Sequence, residues 1–186
     1  MQKTFQKLTN ISNKKMIKII GNIDIDLVLQ QYMAIEDQIR WVEMPPHHKQ
    51  AGLQYAEETD NLWAGGTGKL TGLVNPEHQY NNLNPLLRGT IFEDIINEHK
   101  LVRTRFMWVN RMSCYSIHRD LSPRIHVPII TNPECYFVLK TGSDALIEHL
   151  PAGKVYWTDT RIHHTFMNCS LEPRLHLIGV PVSEQN

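Results

Sequence analysis

From residue 100 onward the sequence breaks into eight short apolar or alternating runs, at 102–109, 113–119, 124–130, 135–140, 145–150, 153–158, 163–168 and 174–180. Turn-forming residues separate them: Ser122-Pro123, Asn132-Pro133, Thr141-Gly142, Pro151-Ala152-Gly153 and Glu172-Pro173. Eight closely spaced strands predict a mainly β domain, a sandwich or jelly roll. No internal repeat or low-complexity tract interrupts the pattern.

The first hundred residues read differently. Met16 to Ile20 is an apolar run expected to form a strand. Asp24 is placed to cap a helix running to about Arg40. Val28, Tyr32, Ile35 and Ile39 recur at helical spacing and give it one apolar face. Pro45-Pro46 ends that segment, and residues 60–90, rich in Gly, Asn and Pro, read mainly as loop. Thr90 to His99 predicts a second helix, with Ile91, Phe92, Ile95 and Ile96 toward the core. The expectation is an N-terminal extension, 1–100, with helices packed outside a catalytic β core, 101–186, the two forming one structural unit.

Lys plus Arg and Asp plus Glu both number 19, so the formal net charge is zero. That balance argues against nucleic-acid or membrane-surface partners. The three cysteines, Cys114, Cys135 and Cys169, are widely spaced, which argues against a disulfide framework or zinc ribbon. Reduced thiols and a cytoplasmic location are expected. Residues 1–15 are polar, lack the apolar stretch of a secretory signal and are expected to fray.

Within the β region, His118-Arg119-Asp120 is followed by His164. Two His and a carboxylate are the donor set with which non-haem Fe(II) oxygenases hold metal on one face and leave the other open. Residues i and i+2 share a strand face, so His118 and Asp120 can point inward while Arg119 points away. Of the adjacent His163 and His164 only one can face in, and His164 is the choice. The competing reading of Asp120 is a surface turn before Leu121-Ser122-Pro123.

Residues 113–180 resemble the catalytic core of the 2-oxoglutarate- and Fe(II)-dependent dioxygenases, most of all the aspartyl/asparaginyl β-hydroxylase branch. The resemblance rests on five elements in order: His118-Arg-Asp120, Arg124-Ile-His126-Val-Pro-Ile, Gly153-Lys-Val-Tyr-Trp157, His164-Thr-Phe-Met-Asn168 and Arg174-Leu-His-Leu. It implies a double-stranded β-helix (a cupin-like jelly roll), iron held by His118, Asp120 and His164, and 2-oxoglutarate and O2 as co-substrates. The implied reaction is hydroxylation of an unactivated C–H bond, with succinate and CO2 as co-products. The implied substrate is an amino-acid side chain, free or in a peptide or protein. Some members of that branch lack the carboxylate ligand that Asp120 supplies here.

By the same resemblance, Arg174 is the leading anchor for the far carboxylate of 2-oxoglutarate, a role suited to a planar guanidinium fork. Arg124 and His126, on one face of the next strand, are placed near co-substrate or substrate. Their alternative is a polar outer face, and for Arg174 a surface position after Glu172-Pro173. Cys114 and Ser116 share the parity of His118. Ser116 is kept as a pocket residue, and Cys114 is expected in core packing. Asn168 is expected to orient a strand end.

Other features carry less. Gly65-Gly-Thr-Gly68-Lys69 lacks the first Gly and the final Ser/Thr of a phosphate loop and reads as a flexible rim. His47-His48 reads as a solvated turn, and Trp63, Trp108 and Trp157 as core. Asn168-Cys-Ser170 fits a glycosylation pattern with no sign of secretion. Two other readings stay open: another metal-dependent cupin-type enzyme, such as an isomerase or a dioxygenase without 2-oxoglutarate, and a jelly-roll binding module without metal. Substrate choice is expected to lie in loops 45–88. Oligomeric state is not legible, and the N-terminal half could equally be a dimer interface.

Overall fold

Alternation of side chains along strands gives a sheet two unlike faces, and here each face has its own covering. The computed structural model describes residues 16–46, 48–70 and 76–182; residues 1–15 and His47 lie outside the described residues. Its strands are β1 (Ile17–Asn22), β2 (Val42–Met44), β3 (His48–Gly52), β4 (Gln54–Tyr55), β5 (Asn82–Leu83), β6 (Leu101–Val109) and β7 (Ser113–Cys114). Then come β8 (Arg124–Ile130), β9 (Cys135–Thr141), β10 (Asp144–His149), β11 (Lys154–Thr158), β12 (His164–Asn168) and β13 (Arg174–Pro181). Two helices are α1 (Ile25–Ile35) and α2 (Ile91–Glu98).

The large sheet has the order β1-β11-β8-β13-β6-β3-β2, and the small one β10-β9-β12-β7. Every pairing is antiparallel. The mainly β jelly-roll expectation therefore holds, with β1, β2 and β3 from the first hundred residues forming both edges of the large sheet. The run at 113–119 forms ladder only at Ser113–Cys114, then rejoins β12 at a single bridge between His118 and His164.

One face of the large sheet carries Phe106, Ile125, Val127, Ile129, Leu175 and Leu177, all buried against the helices. The Asp24 carboxylate caps α1 by accepting from the backbone N–H of Asp26 and Leu27, as its position in sequence leads one to expect. The helix stops at Ile35 rather than Arg40 because the chain tightens into a 3-10 turn, Glu36–Gln38. The stripe of Val28, Tyr32, Ile35 and Ile39 nonetheless stays buried throughout. Phe92, Ile95 and Ile96 of α2 close the same core, with Ile91 packed at its margin. Trp63 is buried there too, with Trp108 and Trp157 packed against it.

The opposite face looks into the jelly roll. A small apolar cluster of Phe137, Leu139, Leu150, Tyr156 and Phe166 fills part of that interior. The rest is polar, and the site lies there.

Two further expectations fail. His48 is buried on β3, with its ring stacked 3.9 Å from Tyr115, because β3 pairs with β6 inside the sheet. Cys114 is exposed rather than packed in the core. The chain leaves regular pairing between Cys114 and His118, so Tyr115 takes the half-buried place against His48.

Candidate metal and co-substrate site

Antiparallel pairing at the end of β12 brings two distant pieces of chain together. His118 N donates to His164 O at 3.1 Å, and His164 N donates to His118 O at 2.9 Å. Asp120 N donates to Thr160 O at 2.9 Å, fixing the next ligand. One ligand atom from each of His118, Asp120 and His164 then lies within 4.8 Å of the others. His164 is buried, Asp120 intermediate and His118 exposed, so the cluster sits at the mouth of the roll. His163 faces outward.

The tautomers suit metal binding. Nδ1 of His118 lies 2.7 Å from Ser116 O, and Nδ1 of His164 lies 2.9 Å from Ile162 O. A carbonyl can only accept, so each Nδ1 carries the proton and each Nε2 keeps its lone pair for a metal. Burial pulls the pKa of His164 below its ordinary value, against the opposing pull of the Ile162 carbonyl and Asp120, which favours the neutral ligand form. Ser116 is exposed and meets His118 through its carbonyl.

Arg124, buried at the start of β8, holds Asp120: its Nε lies 3.2 Å from Oδ2. Its Nη2 donates to Glu77 at 2.7 Å, and Arg103 Nη1 donates to the same carboxylate at 2.7 Å. Burial alone would raise the Glu77 carboxyl. Arg124, the Ser122 hydroxyl and Arg103 outweigh it and hold the pKa below the usual value. Glu77 was not foreseen. It belongs to a short 3-10 turn, Pro76–Gln79, with no periodicity in sequence to mark it, and its partners lie 26 and 47 residues away.

Deeper in, opposed residues share a face. Tyr156 faces His126. His126 faces Ile178, Ile178 faces Arg105, and Arg105 faces Gly52. His126 is 2% exposed, and neither ring nitrogen has a hydrogen-bond partner among the described residues. Burial and then Arg174 push its pKa well below the ordinary value. Farther along β13, Arg174 is 1% exposed. Its Nε donates to His176 Nε2 at 2.9 Å, its Cζ lies 3.7 Å over the Phe166 ring, and Nη1 has no partner. No carboxylate among the described residues pairs with it.

Asn168 closes the far end. Its amide nitrogen donates to Asn110 O at 3.1 Å and Glu172 O at 2.8 Å, and its oxygen accepts from Ser170. It orients strand ends, as expected, and at 1% exposure offers no glycosylation acceptor. The Gly65–Gly68 loop forms a rim over β6, where Gly66 O accepts from Arg103 Nε at 2.9 Å. A Cβ at Gly52 would lie 2.1 Å from Gly65 O, so only glycine allows the rim to pack so closely on β3. The residues present thus fit a divalent metal at the mouth and an anion at depth.

No protein-family model matches the chain, and no curated protein sequence matches it. Solved structures do. An oxidoreductase of the 2OG-Fe(II) oxygenase family from Burkholderia pseudomallei aligns with a TM-score of 0.58 at 12% identity, over 97% of this chain and 90% of that one. SnoN, a non-haem α-ketoglutarate-dependent epimerase from nogalamycin biosynthesis, gives 0.58 at 10% identity, over 95% and 82%. HygX from Streptomyces hygroscopicus, solved with nickel, 2-oxoglutarate and hygromycin B, gives 0.56 at 10% identity, over 96% and 88%. At these identities the likeness is one of fold: the chain shares the jelly-roll architecture of 2-oxoglutarate-dependent non-haem enzymes.

Proposed function

We propose that this protein is a 2-oxoglutarate-dependent non-haem Fe(II) oxygenase that hydroxylates a C–H bond of an amino-acid side chain, free or in a peptide or protein. The observation that carries the reading is a His118–Asp120–His164 cluster with each Nδ1 on a backbone carbonyl and each Nε2 left to face a metal, in a fold that buries Arg174 without a carboxylate partner among the described residues. A buried guanidinium without a carboxylate is costly. A chelating keto acid with a second carboxylate would remove that cost. The fold shared with the three structures above supports the same reading, and the sequence elements around Arg124 and Arg174 support the amino-acid substrate.

When bound, Fe(II) with 2-oxoglutarate supplies the O2-driven oxidation of a C–H bond, with succinate and CO2 as co-products. The chain's own residues do the positioning. His118, Asp120 and His164 would hold the metal through Nε2, a carboxylate oxygen and Nε2. Ser116 O and Ile162 O fix the two imidazoles. Arg124 aims the Asp120 carboxylate through its Nε contact. Arg174, braced by His176 and Phe166, would take the distal carboxylate of the co-substrate. His126, with both ring nitrogens unpartnered among the described residues, would be free to donate one hydrogen bond to a bound anion.

The test is anaerobic titration of the Fe(II)-loaded protein with 2-oxoglutarate, following the weak visible band near ~500 nm given by a keto acid chelating non-haem iron. A band in wild type that is lost in Asp120→Ala supports the reading. Tight iron binding with no band removes it and leaves a metal-dependent cupin-type enzyme. Loss of metal by wild type on dialysis removes both.

A further inference from the structure

The interior holds a second arginine that the co-substrate does not use. Arg105 is 5% exposed on β6, and its Nε has no partner among the described residues. Its Nη1 makes two long contacts, 3.2 Å to Gly66 O and 3.4 Å to Gln50 Oε1. Both acceptors are already engaged: Gly66 O by Arg103 Nε at 2.9 Å, and Gln50 Oε1 by Gly68 N at 3.0 Å. Arg103 and Gln50 make the shorter contacts to the rim, Arg103 donating also to Gly68 O at 2.6 Å. Arg105 is thus not needed to hold the loop, and its burial is not repaid by the contacts it makes.

The charges point the same way. Four buried guanidinium groups, those of Arg103, Arg105, Arg124 and Arg174, face two carboxylates, Glu77 and Asp120. Arg103 and Arg124 share Glu77, and Arg124 also takes Asp120. Arg174 and Arg105 are left. On the reading above, one carboxylate of 2-oxoglutarate sits on Arg174 and the other on the metal, so none remains for Arg105. Position separates the two arginines as well. Arg105 lies opposite Ile178, four residues along β13 from Arg174, or about 13 Å of strand at ~3.3 Å per residue. That puts it in the row of His126, toward the mouth. Arg105 is buried beside the like charges of Arg103 and Arg124, which outweigh the more weakly acting Asp120 and Glu77, so its surroundings favour an incoming anion.

We propose that Arg105 is a specificity-determining residue that binds a carboxylate of the substrate. The proposal rests on the 2-oxoglutarate reading and adds to it that the hydroxylated molecule is an acid. The carboxylate can belong to a side chain or to a chain terminus, and the guanidinium fork accepts either with two parallel hydrogen bonds.

Three probes of nearly one size separate these cases: N-acetyl-L-aspartic acid α-amide carries only the side-chain carboxylate, N-acetyl-L-asparagine only the terminal one, and N-acetyl-L-asparagine amide neither. Each is titrated calorimetrically, without O2, into protein loaded with Fe(II) and 2-oxoglutarate. One acid is expected to bind at least ~10-fold more tightly than the neutral probe, the worth of a charge-assisted pair. Which acid it is identifies the source of the carboxylate. Arg105→Gln is expected to erase that preference, and Arg105→Lys, which keeps the charge but not the fork, to keep part of it. Arg174→Gln is expected to act instead on 2-oxoglutarate affinity. Equal binding of all three probes to wild type overturns the proposal, as does an acid preference that survives Arg105→Gln. A loss of 2-oxoglutarate affinity in Arg105→Gln as large as that in Arg174→Gln also overturns it, by moving Arg105 into the co-substrate site. If Arg105→Gln does not fold, the wild-type comparison and Arg105→Lys decide. Failure of wild type to bind 2-oxoglutarate instead strikes the reading beneath.

Discussion

Glu77 accepts from Arg124 Nη2 at 2.7 Å across forty-seven residues of sequence, and through Arg124 it sets the position of the Asp120 carboxylate. The pair is buried, with side chains 4% and 6% exposed, and Arg103 joins it from the other side. Removing the shared carboxylate leaves the buried Arg103 without a carboxylate and Arg124 with Asp120 alone. Glu77→Gln is therefore expected to destabilise the fold by about 3–5 kcal/mol, the usual cost of breaking a buried ion pair from one side. Urea denaturation monitored by tryptophan fluorescence measures it. A change under about 1 kcal/mol would mean that water reaches these charges.

On the proposed reading, metal would be held by three side chains, two of them oriented by backbone carbonyls. His118→Ala, Asp120→Ala and His164→Ala are each expected to abolish stoichiometric metal after dialysis, read by elemental analysis. Ser116→Ala is expected to leave metal content at the wild-type level, because Ser116 orients His118 through its backbone oxygen. A large loss in Ser116→Ala would assign the hydroxyl a role beyond that contact.

Arg174 sets function against stability. In the absence of ligand its charge is fully buried with no carboxylate partner among the described residues. Arg174→Met keeps the length and removes the charge. It is expected to stabilise the ligand-free protein by about 1–3 kcal/mol, as such replacements of buried charge often do. The same variant is expected to lose 2-oxoglutarate binding. Thermal unfolding and the visible titration report the two effects separately.

The buried imidazoles predict acid lability. His126 and His176 are held neutral in the fold, each first by burial and then by Arg174. His126 also faces His164, Arg124 and Arg105, and His176 faces His126 and His149. Their folded pKa values lie well below the unfolded value, so the unfolded chain takes up more protons as pH falls. Stability is then greatest above the unfolded pKa of about 6.5 and declines progressively below it. The midpoint of urea unfolding measured between pH 8 and pH 5 is expected to drop along that course. His126→Phe is expected to flatten the slope. An unchanged slope in that variant would place the proton uptake elsewhere.

What could be read from the sequence is what repeats locally. The Asp24 cap, the α1 stripe and seven of the eight β runs lie close to where periodicity puts them. His118, Asp120 and His164 could be singled out because metal donors are chemically distinctive and a strand's parity limits which of them face inward. Arg105 gave no such sign, since Arg103-Thr-Arg105 reads locally as a solvated strand. Only pairing with Ile178 on one side and Gly52 on the other puts it inside. A positive φ of 50° at Arg103 further breaks the alternation there. Cys114 was misjudged for a related reason: parity fails where the chain leaves the ladder. Glu77 and Gln50 matter through contacts 18 to 55 residues distant, which no local pattern encodes.

The Asn168 network stops the roll like the base of a cup, with Arg174 near the base and His118 at the lip. Whatever docks on Arg174 has to travel the length of the cup past the histidine and aspartate donors. A molecule already held at Arg105 would stand in the way. If the keto acid docks on Arg174 and the substrate on Arg105 as proposed, loading is expected to be sequential, the keto acid first and the molecule to be oxidised second.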